Sequence, residues 1–346
     1  MTGDQIEIRD HGGDLDRARV AYGGAAGEWI DLSTGINRLP YPMPALGPAD
    51  LCALPQRAAL DDLIAAARDA YETRAAILPL AGAQAAIQLV PALVRERVAG
   101  AVDARVVTPT YNEHAGALTG AGIAVRPVAG LDDLVGADVT VVVNPNNPDG
   151  REYPPAELIA LAKNVGLFVI DESFADATPG LSLAPHLGES GPENILVLRS
   201  FGKFYGLAGL RLGFVLGAAP LIARLKSMAG PWAVSGPAIA AGRIALRDAP
   251  WRARSIARLT EDCARLDALA IARGWDLVGG TALFRTYTIP GGAASAQERL
   301  ARRRIWSRVF PYADDWLRLG LPGDEAEWRR VGEALQTRTI YGTYCE

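Results

Sequence analysis

Four short apolar runs, at 105–108, 139–143, 167–170 and 195–198, each break off within a few residues of a side chain with chemical capability: Tyr111, Asn147, Asp171 and Lys203. Runs of this length are short for helices, and the last three are too nearly uniformly apolar for strands with one wet face. They read as strands buried on both sides. Helical spacing fills intervals between such runs: at 57–71, where Leu60, Leu63, Ile64, Ala67 and Tyr71 recur, from Gly82 to about Val98, and at about 155–164. Further strand-like runs begin at Ile77 and Ile123. This alternation predicts an α/β fold, a large domain with a mostly parallel central sheet between helices, and such sheets hold ligands at the carboxyl ends of their strands. Tyr111, Asn147, Asp171 and Lys203 therefore converge on one edge.

The segment 197–213, Val-Leu-Arg-Ser-Phe-Gly-Lys-Phe-Tyr-Gly-Leu-Ala-Gly-Leu-Arg-Leu-Gly, carries Lys203 just past the last run and Arg211 in a glycine-spaced turn. A lone loop lysine is ordinarily solvated. The sharper reading is a lysine held in a closed pocket, neutral often enough to attack a carbonyl. Ser200 and Arg211 supply a hydroxyl and a fixed cation, groups suited to a phosphate. A phosphate-binding Walker loop is excluded, because Phe204 follows the lysine where Ser or Thr is needed and Val197 stands where its first glycine belongs. Gly206, Gly209 and Gly213 do not spell the dinucleotide fingerprint either. At the start of the helix after Gly82, the amides of Gly82, Ala83 and Gln84 would point outward, where an anion is stabilised. An ordinary strand-to-helix turn is the plain alternative.

With 346 residues the chain exceeds the usual size of one core, which predicts a large and a smaller domain. The expected division is an N-terminal arm with part of the small domain at 1–45, a large domain at 46–217, and a bridging helix with an α+β small domain at 218–346. The bridging helix is read at 255–272, from Ile256, Leu259, Cys263, Leu266 and Ala270 on one face. Strands at 283–287, near 305–309 and at 316–319, a helix that Ser295 could cap, and a last helix at 324–337 complete that half. The formal net charge of −4 argues against a nucleic-acid partner, and the Arg302-Arg303-Arg304 cluster reads as a solvated helix end. Cys52, Cys263 and Cys345 show neither a disulfide framework nor a metal-ligand spacing, which fits a reducing cytoplasm. The acid-bearing N-terminus does not resemble a signal peptide, and no apolar run is long enough to span a membrane.

Ser200-Phe-Gly-Lys203 followed by Ala208-Gly-Leu-Arg-Leu-Gly213 resembles the lysine segment of the fold-type I, pyridoxal-phosphate-dependent aminotransferases. Asn144-Pro-Asn-Asn-Pro-Asp-Gly150 and Val169-Ile-Asp-Glu-Ser-Phe174 match two more motifs of that family, in the same order. The resemblance implies pyridoxal 5'-phosphate as cofactor and Lys203 as the catalytic lysine. It further implies Asp171 facing the ring nitrogen, Asn147 the ring hydroxyl, Tyr111 stacked on the ring, and Gly82, Ala83, Gln84, Ser200 and Arg211 around the phosphate. Arg318 would bind the substrate α-carboxylate through its bidentate fork, Gly35 would offer a backbone group to the substrate, and the arm would cross to the partner of a homodimer. His11 and Arg151 are the candidates for a substrate phosphate. Three positions depart from the common pattern: Phe174 and Leu54 replace tyrosines, and Gly202 replaces the Ser or Thr before the lysine. They leave the cofactor in place and loosen the expectation of transamination.

Within that family, His11-Gly-Gly-Asp-Leu15, Leu32-Ser-Thr-Gly-Ile-Asn37, Thr108-Pro-Thr-Tyr-Asn-Glu-His114 and Asp171-Glu-Ser-Phe174 are most similar to the threonine-phosphate decarboxylase branch of cobalamin biosynthesis. The similarity implies decarboxylation of L-threonine O-3-phosphate, a small phosphorylated amino acid. The alternatives are a histidinol-phosphate or related class I/II aminotransferase, and a noncatalytic cofactor-binding protein.

Overall fold

In the computed structural model, which describes residues 11–189 and 191–336, the chain forms two compact units. The larger comprises residues 40–258 and 280–282; the smaller comprises the described residues up to 39, residues 259–279 and those from 283 onward.

The larger unit is built on a seven-stranded sheet. Its strands are β1 (Ala76–Leu80), β2 (Ala104–Val107), β3 (Val125–Val128), β4 (Val139–Val143), β5 (Leu167–Asp171), β6 (Ile195–Ser200) and β7 (Gly213–Gly217). They lie in the order β1-β7-β6-β5-β4-β2-β3. Neighbours from β6 to β3 are parallel, and β7 runs antiparallel to both β6 and β1. The sheet is thus mostly parallel, as its uniformly apolar runs require. Side chains alternate between its faces and are buried on both: Val141, Val169 and Leu198 join Ile87, Val90 and Leu225 in one core cluster, while Val142, Ile170 and Val197, on the opposite face, are no more than 1% exposed.

Two features of the sheet prepare a site. The chain leaves β2 for β3 on one side and returns to β4 on the other, so a topological switch point lies between β2 and β4. The ends of the central strands are also level: Val143 pairs with Asp171, and Asp171 with Leu198.

The run forming β7 reads in sequence as the tail of the lysine turn because glycines bound it on both sides. Gly213 is there for space: a Cβ at this position would lie 2.5 Å from the Ala83 nitrogen and 2.9 Å from the Arg199 carbonyl oxygen. The apolar pattern changes after Gly217, where the large domain is expected to end, but the packing continues. Helix Ala219–Ala229 places Leu221, Ile222 and Leu225 in the core cluster, and Gly236–Ala245 also belongs to this unit. The helix expected at 255–272 is a single helix, Ala249–Ala272, in which the boundary between the units falls.

The smaller unit holds a four-stranded antiparallel sheet in the order Arg308–Phe310, Ala313–Gly320, Phe284–Thr288 and Asp276–Thr281. A short parallel pair joins Ile30–Asp31 to Ile305–Trp306. The N-terminal forty residues, which show little periodicity, contain the helix Leu15–Tyr22, capped by the Asp14 side chain; only Ala18 of it is buried. Ser295 does not cap its helix. Gly292, at φ 93°, occupies the cap position of Ala293–Arg302, and the Ser295 hydroxyl donates back to the Gly292 carbonyl at 3.0 Å. Nor is the arginine cluster simply solvated. Arg302 pairs with Glu298, but Arg304 donates to the Tyr22 carbonyl and lies 5.4 Å from the centre of the Trp29 ring. Cys345 and the end of the last helix at Thr337 lie outside the described residues.

Leu196, at the centre of the sheet, is fully buried. Leu196→Ala should lower the unfolding free energy by about 2–5 kcal/mol through lost burial and a residual cavity, read as a fall in the denaturant midpoint; an unchanged midpoint would place the core elsewhere.

Candidate active site

One cavity of the larger unit, about 150 Å³ in volume, opens at the carboxyl edge of the sheet and is lined by residues from five separated stretches. Gly82, Ala83, Gln84, Tyr111, Asn147, Asp171, Ser200, Lys203 and Arg211 all border it. The sheet accounts for this convergence. Tyr111 follows β2, Asn147 follows β4, Asp171 ends β5, Ser200 ends β6, and Lys203 lies in the single helical turn Phe201–Phe204 beyond it.

Asp171 is the buried charge of the site, 2% exposed. Its Oδ2 lies 2.8 Å from His114 Nε2, and its Oδ1 accepts the Ser173 amide at 2.9 Å. Burial alone pushes its pKa up, but the His114 hydrogen bond and charge and the Ser173 amide outweigh it, leaving the carboxyl below its ordinary value. A carboxylate is thereby kept ionised in a place that would otherwise favour the neutral acid. His114 sits in the first turn of helix Glu113–Gly120, three residues after Tyr111, and the two rings meet edge to face at 6.2 Å. Sequence reasoning missed its part, because the partner lies 57 residues away and nothing local marks it.

The opposite wall is a helix start. Ala83–Arg97 begins with Gly82 at φ 82°, and no side chain caps it. Its first amides therefore form a ready anion site. Arg211, itself left-handed at φ 54°, approaches so closely that a Cβ on Gly82 would lie 2.8 Å from its Nη2. The Gln84 side chain is engaged by other residues: its amide donates to Glu113 Oε2 at 2.6 Å, and it accepts the Tyr111 hydroxyl at 3.3 Å.

Lys203 Nζ lies 5.6 Å from the centre of the buried Phe174 ring. Gly202 has a steric reason, since a Cβ there would come within 2.6 Å of the Ala208 Cα. Behind the cavity, Arg199 is 3% exposed and bridges Glu172 at 2.8 Å and Asp176 at 2.7 Å, with the Tyr71 ring centred 4.4 Å from its guanidinium carbon. The two carboxylates more than offset the burial that would depress its pKa, which is raised. This buried ion group ties β6 to the segment that carries Asp171 and Phe174.

The remaining sequence candidates fall elsewhere. His11, Gly35 and Arg318 belong to the smaller unit. Arg318 is 4% exposed, donates to the Ser33 carbonyl at 2.5 Å and lies over the Phe284 ring at 4.9 Å, so it is not a surface arginine. Ser33 gathers this region: its hydroxyl donates to Asp31 at 2.6 Å and accepts the Gly13 amide at 2.7 Å, two residues from the exposed His11. Gly35 is buried in the same segment. Arg151 is held by the protein itself. It donates to Asp149, to the Ala129 and Thr108 carbonyls and to the Tyr153 hydroxyl. Leu54 is 59% exposed.

A family model described as aminotransferase class I and II matches residues 54–335. A threonine-phosphate decarboxylase of Sinorhizobium sp is 44% identical over 333 residues, covering 94% of this chain and 97% of the relative. One from Pseudomonas aeruginosa is 44% identical over 336 residues with the same coverage. Among solved structures, histidinol-phosphate aminotransferase from Sinorhizobium meliloti in complex with pyridoxal-5'-phosphate superposes with a TM-score of 0.76 over 97% of each chain, at 20% identity. The likeness to that structure is one of fold.

The Asp171–His114 contact carries a pH signature. The folded pKa of Asp171 is depressed, so its stabilising contribution is present above the unfolded value of about 3.9 and is lost as pH falls through the folded pKa. In His114→Ala the histidine's lowering contacts go and only the Ser173 amide is left against burial, the largest single influence, so the carboxyl's pKa should rise. The variant should lose about 3–5 kcal/mol at pH 7, and the deficit should shrink toward pH 4 as the stranded carboxylate takes up a proton. Denaturant midpoints at the two pH values decide it; a deficit independent of pH would show that His114 is not what keeps the Asp171 carboxylate ionised.

Proposed function

The chain belongs to the aminotransferase class I and II family, and from that premise we propose that it is a pyridoxal-phosphate enzyme that decarboxylates L-threonine O-3-phosphate. The products are (R)-1-amino-2-propanol O-2-phosphate and carbon dioxide, with a proton taking the place of the carboxylate, as a step of cobalamin biosynthesis. The observation that carries the reading is the meeting, in one cavity, of a lysine, a buried ionised carboxylate and an uncapped helix N-terminus flanked by an arginine.

The residues fit the cofactor. A phosphate is matched by the Gly82–Gln84 amides, Ser200 and Arg211, in a cradle that a side chain on Gly82 would fill. Asp171 favours the protonated form of a ring nitrogen placed against it, since a nearby negative charge stabilises the cation. Tyr111 supplies a face for stacking and Asn147 a donor for the ring hydroxyl. When bound, pyridoxal phosphate supplies an electron sink for the carbanion left by departing carbon dioxide.

The chain's own residues then decide which bond breaks. Arg318 is assigned to the substrate α-carboxylate through its bidentate fork, and Gly35 and Asn147 to further contacts with the substrate. Holding the α-carboxylate as the group to be lost would favour departure of carbon dioxide, because only interactions stronger in that transition state than in the bound substrate raise its rate; Lys203 Nζ would then deliver a proton to Cα. Were the α-hydrogen the group so placed, Lys203 would remove it and transamination would follow. Phe174 places an apolar ring rather than a hydroxyl near Lys203, which supports the first outcome. His11 is assigned to the substrate phosphate. We place the enzyme in the cytoplasm as a homodimer, a reading supported by the resemblance to its family.

Protein incubated with pyridoxal phosphate and threonine phosphate should release carbon dioxide, and Lys203→Ala should lower the rate by at least ~10²-fold from the lost proton transfer alone. Added 2-oxoglutarate should yield no glutamate. Glutamate without carbon dioxide would make the protein an aminotransferase acting on a phosphorylated amino donor.

A further inference from the structure

Arg151 is saturated in a way that assigns it a different task from binding substrate. A guanidinium has five N–H donors in a planar fork. Here Nε and Nη2 donate to Asp149 Oδ2 at 3.3 and 2.8 Å, Nη1 donates to the Ala129 carbonyl at 2.9 Å and the Tyr153 hydroxyl at 3.2 Å, and Nη2 also reaches the Thr108 carbonyl at 3.4 Å. These partners come from the ends of β2 and β3 and from the turn after β4. The arginine therefore spans the switch point of the sheet.

Asp149 extends the clamp. Its Oδ1 accepts the Arg151 amide at 3.0 Å and the Asn146 side-chain amide at 2.6 Å. Asn146 in turn donates to the Pro109 carbonyl at 2.9 Å and accepts the Thr110 hydroxyl at 2.6 Å. The turn is closed on itself by Asn146 N to Arg151 O at 2.8 Å and Gly150 N to Asn146 O at 3.0 Å. Both loops so joined carry a cavity residue next to a clamped one: Tyr111 follows Thr110, and Asn147 follows Asn146. Arg151 and Asp149 are themselves absent from the cavity lining.

We propose that Arg151, acting with Asp149, is a positioning residue that locks the Tyr111 and Asn147 loops together and so fixes the spacing of the two side chains that would hold the cofactor ring. The role rests on the cofactor reading above. Misplacement of reacting groups by about 1 Å costs on the order of 10²-fold in rate, which is the scale expected if these loops drift apart.

The test measures three quantities for wild type, Arg151→Ala, Arg151→Lys and Asp149→Asn: pyridoxal-phosphate affinity, circular dichroism in the absorption band of the bound cofactor, and the separate effects on kcat and KM. In Arg151→Ala the affinity and the dichroic band should both fall, and kcat should drop by up to ~10²-fold with KM for the phosphorylated substrate little changed. Lysine keeps the charge but not the fork, so Arg151→Lys should recover only part of the band. Asp149→Asn leaves the arginine in place and should move the same readouts in the same direction, which decides the matter even if Arg151→Ala fails to fold. Unchanged affinity and dichroism, with or without a rise in KM confined to phosphorylated amino acids, would overturn the role; the confined rise would make Arg151 a phosphate ligand. A wild-type protein that binds no pyridoxal phosphate would overturn the cofactor reading and this role with it, whereas normal wild-type binding with unaffected variants overturns the role alone.

Discussion

The hydrogen bond between Asp171 and His114 is the contact on which the site depends. A carboxylate at 2% exposure is costly unless it is partnered. This one is partnered twice, by an imidazole at 2.8 Å and a backbone amide at 2.9 Å. The pair does more than satisfy a charge. Asp171 ends a central strand, whereas His114 belongs to the helix entered directly after the Tyr111 loop, so one contact ties two neighbouring parts of the sheet edge together. Because Val143, Asp171 and Leu198 are in register, what is fixed at Asp171 is also fixed for the turns that follow β4 and β6.

Close backbone approach supplies the opposite wall. Gly82, Gly202 and Gly213 all occupy points where a side chain would collide, with Arg211, with Ala208 and with the first amide of the helix respectively. Their effect is to bring the helix N-terminus, the lysine turn and Arg211 around one volume. Behind it, the Arg199 group with Glu172 and Asp176 is a second buried ionic cluster. Such clusters are costly in desolvation and are disrupted by loss of any one partner, which makes the geometry they hold stiff.

Much of this was legible in the residues. The strands at 139–143, 167–170 and 195–198 could be recognised because burial on both faces leaves an unbroken apolar run, and their common edge follows from parallel topology. The resemblance of three motifs in order located the lysine, the aspartate and the asparagine that line the cavity. What escaped has physical reasons. β7 is a short run masked by the glycines at its ends. The helix Leu15–Tyr22 buries only Ala18, so it has almost no periodic signal. Ser295 looked like a cap because serine favours that position, but a glycine with positive φ holds it. The role of His114, and the bonds from Arg151 to the Thr108 and Ala129 carbonyls and from Gly13 to Ser33, are relations between segments 20 or more residues apart, and no local pattern encodes them.

The most direct measurement uses the scarcity of lysine. The chain has three, Lys163, Lys203 and Lys226, and the first and last are exposed to solvent. Incubation with pyridoxal phosphate, reduction with borohydride and peptide mass mapping should find the cofactor fixed on Lys203 and on neither of the others. A reduced adduct spread over Lys163 and Lys226, or no adduct at all, would contradict the account.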